Sequence, residues 1–154
     1  MRKQLKVCAI MSGFLLLAIE SNLAAQIFNP VHWSSAYKKI GKNEVAVFLK
    51  ATIDKGWHIY ALNQKDGGPQ KTEVAFSSSE QIFLEGNVME PQPMTRFEKT
   101  FKMDVHYFEK SVIFRQKVKI NAQNPTLSVN IKFMACTDHQ CLPPDEIAFN
   151  IPIK

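Results

Sequence analysis

No stretch of this 154-residue chain is long and apolar enough to cross a bilayer as a helix. The best candidate, Val7 to Ile19, falls well short of the ~20 residues a spanning helix needs, and nothing downstream approaches it. No basic run is interleaved with aromatics, and the lysines are scattered as on any solvated face, so a nucleic-acid surface is excluded. Internal repeats and low-complexity tracts are absent, which removes solenoids and disordered tails from consideration. Helical spacing of apolar residues is hard to find. Cysteine is scarce: the chain has three, Cys8, Cys136 and Cys141. Beside the Cys136–Cys141 pair, a Cys-x-x-Cys or a His-x3-His partner, which would make a zinc signature, is missing.

What the N-terminus does have is Arg2, Lys3 and Lys6 ahead of the apolar run, then Leu23-Ala24-Ala25 before Gln26. A charged start, a short apolar core and small residues at the end make a secretory signal. Residues 1–25 are therefore read as a signal peptide and 26–154 as one mature domain, exported to the periplasm. A lipoprotein signal would carry its cysteine just after the apolar stretch, whereas Cys8 stands near its beginning and leaves with the signal. Removing Arg2, Lys3, Lys6 and Glu20 lowers the net charge from +5 to +3. With 45% hydrophobic residues overall, the remainder is large enough to bury a single core.

From residue 44 onward the dominant pattern has period two, which sends every second side chain to one face of a strand. Val45, Val47, Leu49 and Ala51 alternate with Ala46, Phe48, Lys50 and Thr52; Trp57-His58-Ile59-Tyr60 follows the turn residues Asp54-Lys55-Gly56. Further strands are marked by Val74 and Phe76, by Ile82 and Leu84, by Val112, Phe114, Val118 and Ile120, by Leu127 to Phe133, and by Ile147 to Ile153. Trp33 and Tyr37 fit an opening strand or loop over Val31 to Ile40. Pro91 and Pro93 remove ladder donors, so Met89 to Thr100 is expected to be a loop. Eight or so short strands between Gly, Pro and Asn turns predict an all-β chain, an antiparallel β-sandwich of immunoglobulin-like type. Pattern alone does not separate a sandwich from a barrel.

The mature cysteines lie at a joint between two strands, in Phe133-Met134-Ala135-Cys136-Thr137-Asp138-His139-Gln140-Cys141-Leu142-Pro143-Pro144. A disulfide between them is sterically easy in an oxidising compartment. As a structural staple it gains little: closing so small a ring is worth about 2 kcal/mol in the chain-entropy picture, against nearly 5 kcal/mol for a ring of about a hundred residues. A short ring on a loop can instead leave sulfur reachable by an attacking thiolate, which exchange requires. Asp138 would raise a neighbouring thiol's pKa and a protonated His139 would lower it. A third reading makes the sulfurs ligands of copper(I) or zinc, with His139 and His58, His106, Met103 or Met134 completing the set; the spacing is diagnostic of neither metal.

These residues resemble a known family. Phe133 to Cys136, the short loop, and Cys141-Leu142-Pro143-Pro144 look like the active-site segment of the N-terminal periplasmic domain of DsbD thiol:disulfide interchange proteins. Lys55-Gly56-Trp57-His58-Ile59-Tyr60 resembles the family's glycine-aromatic strand, and Phe97-Glu98-Lys99-Thr100-Phe101 its cap loop. The similarity covers most of residues 27 to 154. It implies an immunoglobulin-like domain that relays reducing equivalents to periplasmic thioredoxin-fold partners, such as disulfide isomerases and cytochrome c maturation thioredoxins, with no cofactor. By the resemblance Cys141 forms the mixed disulfide and Cys136 resolves it. Phe101 then stands for the cap phenylalanine, with His58 and Tyr60 on the neighbouring strand; ordinary core packing is the plain alternative for Tyr60 and Phe101. The chain departs from the pattern in having four residues between the cysteines rather than five, and no acidic cap residues at Lys99 and Thr100. The family's membrane-embedded and C-terminal thioredoxin-like domains have no counterpart in these residues, so a separate membrane-embedded electron donor is expected. The competing expectation is a protein-interaction or copper-binding β-sandwich in which the disulfide only holds the strand joint.

Overall fold

Alternation of branched apolar and polar side chains gives each segment one dry face, and a sheet with one dry face must stack on another. The computed structural model, which describes residues 28–77 and 79–154, meets this demand with strands alone. Among the described residues there is no helix. The strands are β1 (Val31–Lys39), β2 (Glu44–Ile53), β3 (His58–Tyr60), β4 (Glu73–Phe76), β5 (Ile82–Met89), β6 (Met94–Glu98), β7 (Met103–Phe108), β8 (Ser111–Ile120), β9 (Thr126–Phe133), β10 (Ala135–Cys136) and β11 (Asp145–Pro152). The signal-peptide reading of residues 1–25, and Cys8 with it, lies outside the described residues.

All pairings are antiparallel, in three sheets ordered β1-β2-β8-β5, β10-β3-β7-β6 and β11-β9-β4. The inward rows are those the alternation names: Val45, Val47, Leu49, Ala51 and Ile53 from β2, Val112, Phe114, Val118 and Ile120 from β8, and Leu127, Val129, Ile131 and Phe133 from β9. They meet in one cluster. Trp33 of β1 bridges the layers, with ring centroids 5.9 Å from Phe114 on β8 and 5.3 Å from Phe133 on β9. The opening segment is therefore a strand. Facing layers joined by such contacts make the chain an immunoglobulin-like sandwich, with more and shorter strands than the eight anticipated.

Two local features set up the site. Strand β9 passes through Met134 directly into β10, so the chain leaves one small sheet and enters the other just before Cys136. The Met89–Thr100 stretch, expected to be a loop, instead contains β6, which pairs with β7 from Met94↔Tyr107 to Glu98↔Met103. Pro91 and Pro93 act only before the strand starts. Because β6 pairs on one side only, an unpaired ladder edge is no penalty there. The β6–β7 hairpin turns through residues 99–102, with Lys102 at φ 54°. Its tip hangs over the cysteines.

Candidate functional site

The local fold brings the two sulfurs together. Thr137 N donates to Gln140 O at 2.7 Å, and Leu142 N donates to Ala135 O at 2.9 Å. These bonds flank Cys136 and Cys141, which makes the cysteines a non-hydrogen-bonded antiparallel pair, the kind whose side chains stand closest. Their Cα atoms are 4.0 Å apart and the sulfurs are bonded. Thr137 Oγ1 accepts from the backbone N–H groups of His139 and Gln140, both at 3.1 Å, so the turn inside the ring is held by its own first residue.

The two ends of the bridge differ in exposure. Cys136 is completely buried, packed with Tyr60 and Val105 and against Phe101, Met103, Tyr107 and Met134, whereas Cys141 is exposed. A cleft of about 210 Å³ opens beside Cys141, between the hairpin tip at Glu98, Thr100 and Phe101 and the loop from Thr137 to Gln140, with Tyr60 also lining it. The structure brings together the residues that the resemblance and the cysteine loop named, but not His106, whose partner is Thr95. His58 faces Cys136 in strand register, Tyr60 and Phe101 cover the buried sulfur, and Asp138 and the exposed His139 form the opposite wall of the cleft.

One central residue escaped the sequence reading. Arg96, on β6, donates through Nη1 to Asp138 Oδ1 at 2.8 Å, and its Nη2 lies 3.3 Å from Glu98 Oε2 and 3.1 Å from His58 Nε2. Its guanidinium carbon sits 4.8 Å over the Tyr107 ring. Arginine only donates, so His58 Nε2 must accept and the imidazole proton belongs on Nδ1. Burial, then the Arg96 cation, lower the His58 pKa to about 4, with Asp138 opposing in part. His58 also meets Tyr60 and Tyr107 edge-on and lies 3.4 Å from the Tyr60 hydroxyl, whose own pKa is raised, chiefly by burial. The only clue in the sequence was that Arg96 and Glu98 share a strand face. With β6 read as a loop, no face existed.

The sulfurs are bonded to each other, His106 Nδ1 is 2.9 Å from Thr95 Oγ1, and among the described residues no three His, Cys, Asp or Glu side chains converge.

Comparison with known proteins points one way. Residues 30–152 match the family described as thiol:disulfide interchange protein DsbD, N-terminal. Among solved structures, the reduced DsbD N-terminal domain of Neisseria meningitidis is similar at TM-score 0.55 and 12% identity, over 82% of this chain and 90% of that one. The N-terminal periplasmic domain of ScsB from Proteus mirabilis gives TM-score 0.60 and 16% identity, over 80% of this chain and 47% of that one. The complex between the DsbD and PilB N-terminal domains of Neisseria meningitidis gives TM-score 0.50 and 10% identity, over 77% of this chain and 80% of the matched one. At these identities the structural likeness speaks for the fold. No curated protein sequence matches the chain.

Proposed function

Since this chain belongs to the family of DsbD N-terminal domains, we propose that it is a periplasmic thiol–disulfide exchange module relaying reducing equivalents through Cys136 and Cys141. The observation that carries the reading is the asymmetry of the bridge, one sulfur buried and the other beside an open cleft. A thiolate must approach along the bond it breaks, so only the exposed sulfur can meet a second protein.

The reaction runs in two displacements. In the reduced chain the Cys141 thiolate attacks one sulfur of the partner's disulfide, and the partner's other sulfur leaves as a thiolate. The mixed disulfide at Cys141 is then attacked by the Cys136 thiolate, which forms the Cys136–Cys141 bond and releases the partner as a dithiol. Two electrons and two protons pass in total. A second dithiol protein reverses these steps and restores the reduced chain. We assign that donor to a separate membrane-embedded protein and the acceptor to an exported thioredoxin-fold protein. The solved complex of a DsbD N-terminal domain with the PilB N-terminal domain supports a protein acceptor. The signal read in residues 1–25, and the periplasmic setting of the ScsB relative, support export; mass spectrometry of the secreted protein should find Gln26 first. Within this scheme His58, Tyr60, Phe101, Asp138 and His139 shape and shield the site rather than transfer electrons.

Trapping tests the roles. Cys136→Ser leaves Cys141 without its resolver and should accumulate a covalent complex with an exported thioredoxin-fold protein, visible on a non-reducing gel and lost on reduction. Cys141→Ser should give none. Equal trapping by both variants would remove the division of roles, and no trapping by either would leave the disulfide as a structural staple.

A further inference from the structure

The hairpin tip and the cysteine loop form the two walls of the cleft, yet they hardly touch through polar groups. Among the described residues one polar contact joins the β6–β7 hairpin to that loop, and it comes from β6 below the tip: Arg96 Nη1 to Asp138 Oδ1 at 2.8 Å. Everything else that holds residues 137–140 is local to that turn. Asp138 lies inside the disulfide ring, two residues from one sulfur and three from the other.

The two ends of this ion pair are unlike. Arg96 is fastened, with its guanidinium over Tyr107, its second nitrogen shared by Glu98 and His58, and its side chain 24% exposed. Asp138 is 75% exposed and has Arg96 as its one hydrogen-bond or ion-pair partner among the described residues. The pair can therefore break by a swing of Asp138 without unseating Arg96 from Tyr107, Glu98 or His58. Serving three acceptors and one aromatic face at once needs several donors in a plane, which a lysine lacks.

We propose that Arg96 is the positioning residue of the exchange site: by holding Asp138 it latches the β6–β7 hairpin over the Cys136–Cys141 ring and sets how often the bridge is open to an attacking thiolate. This rests on the exchange reading above, but its test does not need a protein partner. Arg96 takes no part in the electron transfer. It governs access.

The experiment follows reduction of the folded, oxidised chain by dithiothreitol, quenched with iodoacetamide and read by mass, in a double-mutant cycle of Asp138→Asn and Arg96→Gln. Breaking an exposed ion pair should speed reduction roughly two- to fivefold in Asp138→Asn. The same substitution should have no effect in the Arg96→Gln background, where the latch is already gone. Melting temperature should fall by no more than a few degrees in Asp138→Asn, the cost of one exposed ion pair, which separates local access from global unfolding. An equal acceleration in both backgrounds would mean that Asp138 acts only by repelling the incoming thiolate, and no acceleration in the native background would mean no latch; either overturns the proposal. Should Arg96→Gln not fold, amide exchange in Asp138→Asn alone decides: the latch predicts faster exchange in the 99–102 turn, and unchanged exchange there refutes it. Because the reductant is a small dithiol, failed trapping of a protein partner would sink the exchange reading while leaving this result intact.

Discussion

His58 sits in a position that an ionised imidazole would not tolerate. It is buried, and its free nitrogen points at a guanidinium, so the ring stays neutral in the folded chain down to about pH 4. In the unfolded chain the same ring takes up a proton near 6.5. Between those values the unfolded state binds more protons, so stability falls as pH is lowered from about 6.5 toward 4 and is unaffected by this group above 6.5. The upper bound on the loss is roughly 3 kcal/mol, because each tenfold difference in proton affinity between the two states is worth about 1.4 kcal/mol. Urea midpoints measured from pH 7 to pH 4 should decline for the native chain. His58→Gln, which keeps an acceptor for Arg96 but cannot titrate, should show a shallower decline; equal slopes would mean that the acid sensitivity comes from other groups. The neutrality of His58 also argues against its pulling a proton from Cys136, because a base with a pKa near 4 is a poor acceptor for a thiol proton.

At the scale of elements, the site depends on short pieces being held at their ends. Strand β3 is three residues long and carries both His58 and Tyr60, so its placement falls to the turn before it. That turn closes with Trp57 N donating to Asp54 O at 3.0 Å, and Gly56 takes φ +85°, a conformation costly for any residue with a Cβ. Nothing crowds Gly56, so Gly56→Ala isolates the backbone cost. It should destabilise by about 1–2 kcal/mol in urea unfolding; an unchanged midpoint would show that the turn relaxes freely. The elements also show which signals a sequence carries. Rows such as Val45, Val47, Leu49 and Ala51 were legible because burial and period agree, and Cys136 with Cys141 because their surroundings are distinctive. Strand β6 was not, since Met94-Thr95-Arg96-Phe97-Glu98 puts charge on its inward face and leaves Phe97 62% exposed, the reverse of a half-buried strand. Arg96 was lost with it. A cation held by Glu98 on its own strand and by Asp138 and His58 from distant segments becomes visible only when the chain is folded.

For the whole molecule, the sandwich and the disulfide are separate sources of stability. The main core includes neither cysteine, and Cys136 belongs to a smaller cluster with Tyr60 and Val105. A ring this short contributes about 2 kcal/mol by chain entropy, little beside a core of more than twenty buried residues. The reduced chain should therefore keep its β-sheet circular dichroism and unfold cooperatively, with a modestly lower melting temperature. Collapse of the fold on reduction would make the bridge structural. An exchange module needs such independence, because it must stay folded in both redox states while the bond is made and broken. The decisive measurement is a redox titration of the folded chain in glutathione buffers, started once from the oxidised and once from the reduced protein. Convergence of both on the same oxidised fraction, with the sheet signal intact throughout, is the predicted result. A disulfide that stays closed until the chain is unfolded would contradict the account.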